Sequence, residues 1–209
     1  MARLTGTDEA NRILGTRLMD LIQGLDGADS LFGALGNDRL FGGDDDDLLF
    51  GGGGADRLWG GKGEDRLFGG DGHDVLSDES GNDRFDGGRG NDRIFAGEGN
   101  DTALGGTGHD TIFGGEGNDR MSGGAGSDLM TGGVGADTFV FSAGRDRITD
   151  FEMGDDKIDL SGVAGINSLA EVRAASWQSG DDVMLRIGTN VLRIDDVRLG
   201  RLDADDFIF

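Results

Sequence analysis

From Gly24 to Val140 an apolar residue returns at every ninth position, as Leu31, Leu40, Leu49, Leu58, Leu67, Leu76, Phe85, Ile94, Ala103, Ile112, Met121, Met130 and Phe139, and the residue two places before each is aspartate. Glycine fills positions one, two and four of most words, so the stretch reads as thirteen consecutive nonapeptides GGxGxDxUx, with U apolar and no insertion. The glycines permit positive φ and close backbone approach, which makes the first part of each word a turn. The last three residues alternate outward, inward, outward as a short strand does, so position eight alone is predicted to be buried. Two words complete a circuit with a turn at each end. One edge then carries Asp29, Asp47, Asp65, Asp83, Asp101, Asp119 and Asp137, and the other carries Asp38, Asp56, Asp74, Asp92, Asp110, Asp128 and Asp146.

The pattern predicts an all-β fold, a parallel β-roll that is a two-sided β-solenoid of 18-residue coils, with roughly seven to eight coils and a length of ~36 Å at the strand spacing. Degenerate words GTDEANRIL and GTRLMDLIQ precede it from Gly6 and Gly15, and FSAGRDRIT follows from Phe141. The division is therefore 1–23 as N-terminal capping repeats, 24–150 as the roll, and 151–209 as a C-terminal region. In the first copies Glu9 and Leu18 replace the fourth glycine and Asn11 replaces an aspartate, as in a cap that shields the stack without holding ions. In the last region Ser168 and Glu171 fit a capping box for a short helix ending near Trp177. Val183–Ile187 and Val191–Ile194, joined through Gly188, Thr189 and Asn190, read as a hairpin. Hairpin and helix together form a small cap that protects the open strand edge.

Composition sharpens this picture. With 43 glycines and a formal charge of −22 in 209 residues, the chain is too glycine-rich and acidic for an ordinary core. Such a composition also describes a disordered acidic segment, but disorder has no need of strict nine-residue spacing. The charge disfavours nucleic acid and anionic membrane as partners and favours cations. No cysteine, no apolar signal run at the N-terminus and no transmembrane-length apolar segment occur, which leaves a cytosolic protein or one exported without a cleaved N-terminal signal.

Stacked coils lie ~4.8 Å apart, so successive carboxylates on one edge repel by roughly 3 kcal/mol per pair at an effective dielectric of about 20. One buried apolar side chain per word contributes only ~1.5–3 kcal/mol, against ~1–2 kcal/mol for ordering each backbone unit. The bare stack is predicted to lose this balance. A hard divalent cation between turns reverses it, and calcium, which accepts carboxylate and carbonyl oxygens in flexible geometry, suits glycine turns better than octahedral magnesium. Binding and folding then become one event.

The nonapeptide resembles the calcium-binding repeat of RTX (haemolysin-type) proteins over about residues 6–150. That resemblance implies that each ion is held by sixth-position aspartates of two turns eighteen residues apart, with carbonyls of positions two and four of one turn and one and three of the other. Beyond the fourteen aspartates named above, the implied ligands are the carbonyls of Gly88, Gly90, Gly97, Gly99, Gly105, Gly106, Gly108, Gly114, Gly115, Gly117, Gly123, Gly124, Ala125, Gly126, Gly132 and Val134. Six gaps per edge set an upper bound of about twelve calcium ions. Asp45, in place of a fourth glycine, and Asp78-Glu79, in place of the first two, mark the expected weak joints.

The C-terminal region resembles that of serralysin-type metalloproteases through Asp137–Phe141, Ile148–Phe151, Asp156–Ser161 and Ala204–Phe209. The resemblance implies an uncleaved type I secretion signal ending in Asp206-Phe207-Ile208-Phe209, and hence a secreted, extracellular protein that meets the secretion machinery through its C-terminus. No HExxH, no G-x-S-x-G and no cysteine nucleophile occurs, so the expectation is a calcium-binding module and not an enzyme. His73 and His109, both at position five, read as solvated turn residues. Aromatic residues at position nine, Phe32, Phe50 and Phe68 on one face and Phe41 and Trp59 on the other, read either as cross-coil packing or as a platform for an extracellular polysaccharide like that of mannuronan epimerase modules. A third reading is the non-catalytic tail of a larger secreted hydrolase.

Overall fold

The nonapeptide folds as half a turn, and its last three residues continue into the first three of the next word as one strand. Arg39–Asp44, Arg57–Lys62 and Arg66–Asp71 are examples, each of six residues and not the three that alternation suggested. The extension needs only a small residue at position one, glycine in most words and Ala96 in the equally long strand Arg93–Glu98. Two places after position eight, position one faces inward by the same alternation, so position eight is not alone in the interior: the small residues at position one and the position-six aspartates are buried as well. These features are drawn from a computed structural model that describes all 209 residues.

Strands of alternate words pair in parallel with an eighteen-residue offset, forming two sheets that face each other. Leu40 sits opposite Leu58 in one, and Leu49 opposite Leu67 in the other. Between the sheets lies a single file of position-eight side chains from each side, nearly all fully buried. Its members are matched in size: Phe85 lies beside Ala103, and Ala103 beside Met121. Outside, the position-nine rings stack face to face along each sheet, Phe41 on Trp59 at 4.4 Å and Phe50 on Phe68 at 4.6 Å. The rings thus cover one another's faces, which is what cross-coil packing requires.

The roll has about nine turns rather than seven to eight. Both degenerate N-terminal words take part, with Ala2–Thr5 pairing onto Asp20–Asp26 and Arg12–Leu14 onto Ser30–Leu35 in the same parallel register. At the other end Lys157–Asp159 and then Phe207–Ile208 add rungs to one sheet, while Asn190–Ile194 adds a rung to the other. Asn190–Ile194 forms an antiparallel hairpin with Asp182–Ile187 through Gly188 and Thr189, and Ser176–Ser179 flanks it. The helix, α1, covers Leu169–Ala175 and ends two residues before Trp177. Its N-cap is Ser168, whose Oγ accepts the Glu171 N–H, while Glu171 accepts from the Asn167 N–H at 2.7 Å. The early stop is local: Ser176 turns its hydroxyl back onto the Val172 carbonyl at 2.7 Å, and its backbone becomes extended to enter the flanking strand. No helix is long and apolar enough to cross a membrane.

Because the core is one side chain deep, size matching should be strict. Ala103→Leu is expected to destabilise the fold by about 1–3 kcal/mol through overpacking against Phe85 and Met121, read as an earlier denaturant midpoint with calcium present. An unchanged midpoint would mean that the file can shift to make room.

Candidate metal centre

The turns place every repeat aspartate in the interior, where each carboxylate oxygen has a separate fate. Oδ1 accepts the backbone N–H of the residue eighteen places earlier, an aspartate for all but Asp29, from 2.6 Å for the Asp47 N–H on Asp65 to 3.2 Å for the Asp128 N–H on Asp146. The aspartate carbonyl in turn accepts an N–H from the following coil, as Asp29 does from Leu48 at 2.9 Å. The side chain is therefore fixed on its own edge, and the two edges inferred from the repeat are the two ladders of the structure. Oδ2, by contrast, is buried without a hydrogen-bond partner in all thirteen aspartates from Asp29 to Asp137 at nine-residue intervals. An orphaned buried carboxylate oxygen costs several kcal/mol at least, and one per turn along the molecule is a demand for a positive partner.

Backbone oxygens point toward the same gaps. A methyl group placed on Gly105 would come within 2.6 Å of both Asp110 Oδ2 and the Gly123 carbonyl, so the position-one carbonyl faces the preceding coil. Positions two and four face the following one: a methyl group on Gly124 would strike the Gly106 carbonyl, and one on Gly126, where φ is +157°, would strike that of Gly108. Gly88, Gly90, Gly97, Gly99, Gly115 and Gly117 direct their carbonyls in the same way, and the Gly105 and Gly132 carbonyls face back toward Gly87 and Gly114. Gly114, Gly124 and Ala125 hold the equivalent positions of their words. The Val134 carbonyl accepts the Gly117 N–H at 2.8 Å, leaving one lone pair for another partner. The donor set is oxygen throughout, carboxylate and carbonyl, and this suits a hard cation.

The ends of the ladders differ from the middle. Asp20 continues one ladder, holding the Ala2 N–H on Oδ1, but its Oδ2 accepts from Thr16 N–H and Thr16 Oγ at 2.6 and 2.8 Å. Asp156 continues the other, holding the Asp137 N–H at 2.9 Å, and its Oδ2 accepts the Glu152 N–H at 2.9 Å. Asp146, one of the residues assigned from the repeat, has its Oδ2 met by Ser142 Oγ at 3.3 Å. Asp20 and Asp156 were not among the residues the repeat assigned. Asp20 stands in a degenerate word, and a one-residue insertion puts Asp156 nineteen places after Asp137, although the triplet Asp156-Lys157-Ile158 keeps the D-x-U signal.

A second ladder at position five also escaped the sequence. Asn91 Oδ1 accepts the His109 N–H at 2.9 Å, and His109 Nδ1 accepts the Ser127 N–H at 3.0 Å. His73 does the same for Asn91 at 2.7 Å. The histidines are exposed turn residues, as expected, with a specific bond to make. Asp45, an expected weak joint, adopts the left-handed conformation of the glycine it replaces, with φ +78°, and accepts the Gly27 N–H at 3.0 Å.

Burial first, and the neighbouring aspartates of the same ladder after it, push the free carboxyls upward: Asp47, Asp74 and Asp83 to about 7, and Asp38 and Asp110 to about 6. Asp20 is also buried, but the Ala2 and Thr16 N–H groups and the Thr16 hydroxyl outweigh burial and lower it. At the C-terminal end burial still prevails, and Asp146 and Asp156 are pushed up to about 7 and about 6 although each has a donor at Oδ2.

A family model described as RTX calcium-binding nonapeptide repeat (4 copies) matches residues 5–40, 14–49, 41–76, 68–103, 77–112, 104–139 and 113–148. Among solved structures, the crystal structure of the extracellular lipase LipA from Serratia marcescens matches 98% of this chain at 20% identity and a TM-score of 0.51. The chain spans 39% of the length of that lipase. The solution structure of a subunit of the mannuronan C5-epimerase from Azotobacter vinelandii matches 79% of each chain at 25% identity and a TM-score of 0.30. No curated protein sequence matches.

The raised carboxyls give the cation-free fold a defined pH response. Their unfolded value is 3.8 and their folded values reach about 6 to 7, so the folded chain holds more protons between these limits. Their contribution to stability is present in full below the unfolded value and is lost as pH rises through the folded ones. In chelator, the β signal in circular dichroism should be larger near pH 5 than near pH 7.5. Equal signals, or the reverse order, would contradict this assignment.

Proposed function

Because the chain belongs to the family of RTX calcium-binding nonapeptide repeats, we propose that it is a secreted module that folds when calcium enters its turns. The observation that carries the proposal is the row of thirteen buried, partnerless Oδ2 atoms. Each turn would hold calcium through such an oxygen, with Gly106, Gly108 and Gly123 carbonyls beside Asp110 as the pattern for the rest. Calcium would supply positive charge to oxygens that repel one another; the chain's own residues do the remaining work. Oδ1 bonds fix the carboxylates, the glycines bring the carbonyls close, and the position-eight file holds the coils in register. The terminal words, 1–23 and 151–209, act as caps around the ion-binding roll of 24–150.

Mass action then makes the fold conditional on calcium concentration. A chain kept unfolded where free calcium is low, and folded where it is abundant, suits export through a type I channel. The C-terminal address fits the same logic. Phe207–Ile208 forms the last rung of one sheet and Phe207 is buried, so Asp206-Phe207-Ile208-Phe209 is legible to a receptor only while the chain is unfolded. Catalysis forms no part of the proposal.

Far-ultraviolet circular dichroism at neutral pH should show a largely disordered chain in chelator and a cooperative gain of β signal on adding calcium. A chain fully folded in chelator at pH 7.5 would refute the coupling. Calorimetric titration should give a stoichiometry of at least about six calcium ions, the number that one ladder's gaps would take at one ion each; a value well below it would refute a two-edge ladder.

A further inference from the structure

Asp78 stands where the seventh of the thirteen words should have its first glycine, at the middle of the stack. The strand Val75–Ser77 stops after three residues there, half the usual length, and Asp78 enters the turn instead. Its Oδ1 accepts the Glu79 N–H at 2.7 Å and the Gly61 N–H at 3.3 Å. Its Oδ2 is buried with no partner. This is the arrangement of the repeat aspartates, one oxygen held by backbone and the other free, reached from a different position of the word.

The free oxygen does not point at random. Asp65 and Asp83, neighbours on the same edge, are 1% and 3% exposed and also carry a partnerless Oδ2. One carboxylate oxygen from each of Asp65, Asp78 and Asp83 lies within 4.8 Å of the other two. The centre of such a triangle is no more than about 2.8 Å from every corner, close to the 2.3–2.6 Å of calcium–oxygen bonds. A methyl group on Gly60 would strike both Asp78 Oδ2 and Asp65 Oδ2, so the missing Cβ at Gly60 keeps this space open.

We propose that Asp78 joins Asp65 and Asp83, adjacent members of the regular ladder, in a three-carboxylate cation site that takes the first ion to reach the roll and accepts trivalent lanthanides ahead of every other turn. The proposal rests on the reading that the turns take calcium, and adds that they are unequal. A regular turn offers a free Oδ2 and neutral carbonyls; this one adds a third carboxylate, and affinity in oxygen-ligand sites rises with the count of charged ligands. Three carboxylates also balance a trivalent ion in full, and no regular turn does so. What the sequence presents as a defect in the repeat is then its tightest point, placed so that coils can grow from it in both directions.

Trp59 provides the readout, since it adjoins Gly60 and pairs with Ser77, the residue before Asp78. The full-length chain is titrated with terbium, and terbium emission excited through tryptophan is followed. Emission should saturate near one equivalent, and Asp78→Asn and Asp78→Gly should each raise the midpoint about tenfold. Trp59→Phe should remove the emission while terbium uptake, measured by equilibrium dialysis, is unchanged. Circular dichroism at saturating calcium checks that each variant folds, and Asp78→Gly restores the common repeat residue. Equal midpoints for wild type and both variants would overturn the proposal, as would emission that climbs evenly over many equivalents. A wild-type chain that shows the terbium site but no β gain with calcium would remove the calcium-folding reading and leave the site standing.

Discussion

One constraint organises the molecule: a carboxylate that is buried, held by one oxygen and left unsatisfied at the other. The backbone fixes Oδ1 so firmly that Oδ2 cannot swing to solvent, and the next coil brings a second such group within a strand spacing. Repulsion of this kind, repeated along two edges, is larger than the return from a core one residue deep. The fold therefore cannot be understood from its apolar contacts alone. It is a scaffold whose most strongly positioned groups oppose it until positive charge arrives.

The other regularities serve that arrangement. The position-one glycine lets the strand continue inward and leaves room for the aspartate of its own word, where a Cβ would collide with it. Glycines at positions two and four let carbonyls of one coil face the next. Apolar residues at position eight and rings at position nine keep neighbouring coils in register, inside and outside. At the ends, where no further coil follows, Thr16, Ser142 and Glu152 provide the donors that the interior lacks. The same acidic residue is thus locally satisfied at the boundary and unsatisfied in the middle.

Much of this was legible in the sequence, since a rigid period converts directly into register. Asp47 and Asp65 had to stack if words eighteen residues apart did, and the position-nine rings had to meet. The signal failed where period and chemistry part. Strand length was underestimated because a glycine looks like a turn residue whether it ends a strand or lets one pass through the interior, as Gly42 does. Asp156 was lost to a single inserted residue. The Asn91–His109 bonds were missed because side chains that accept an N–H from the next coil need no shared residue type, only a shared position. Asp78 stands in the sequence as a weak joint, since the consensus records which residue is usual and not what an unusual one reaches.

At its C-terminal side one sheet of the roll closes differently from an ordinary solenoid rung. The last strands of that sheet are an antiparallel hairpin with Ser176–Ser179 at its margin. The other sheet keeps its polarity to the last, ending on the parallel rung Phe207–Ile208. The reversal of strand direction carried by Asp182–Ile187 thus brings the parallel coiling of the hairpin-bearing sheet to a stop within the chain itself.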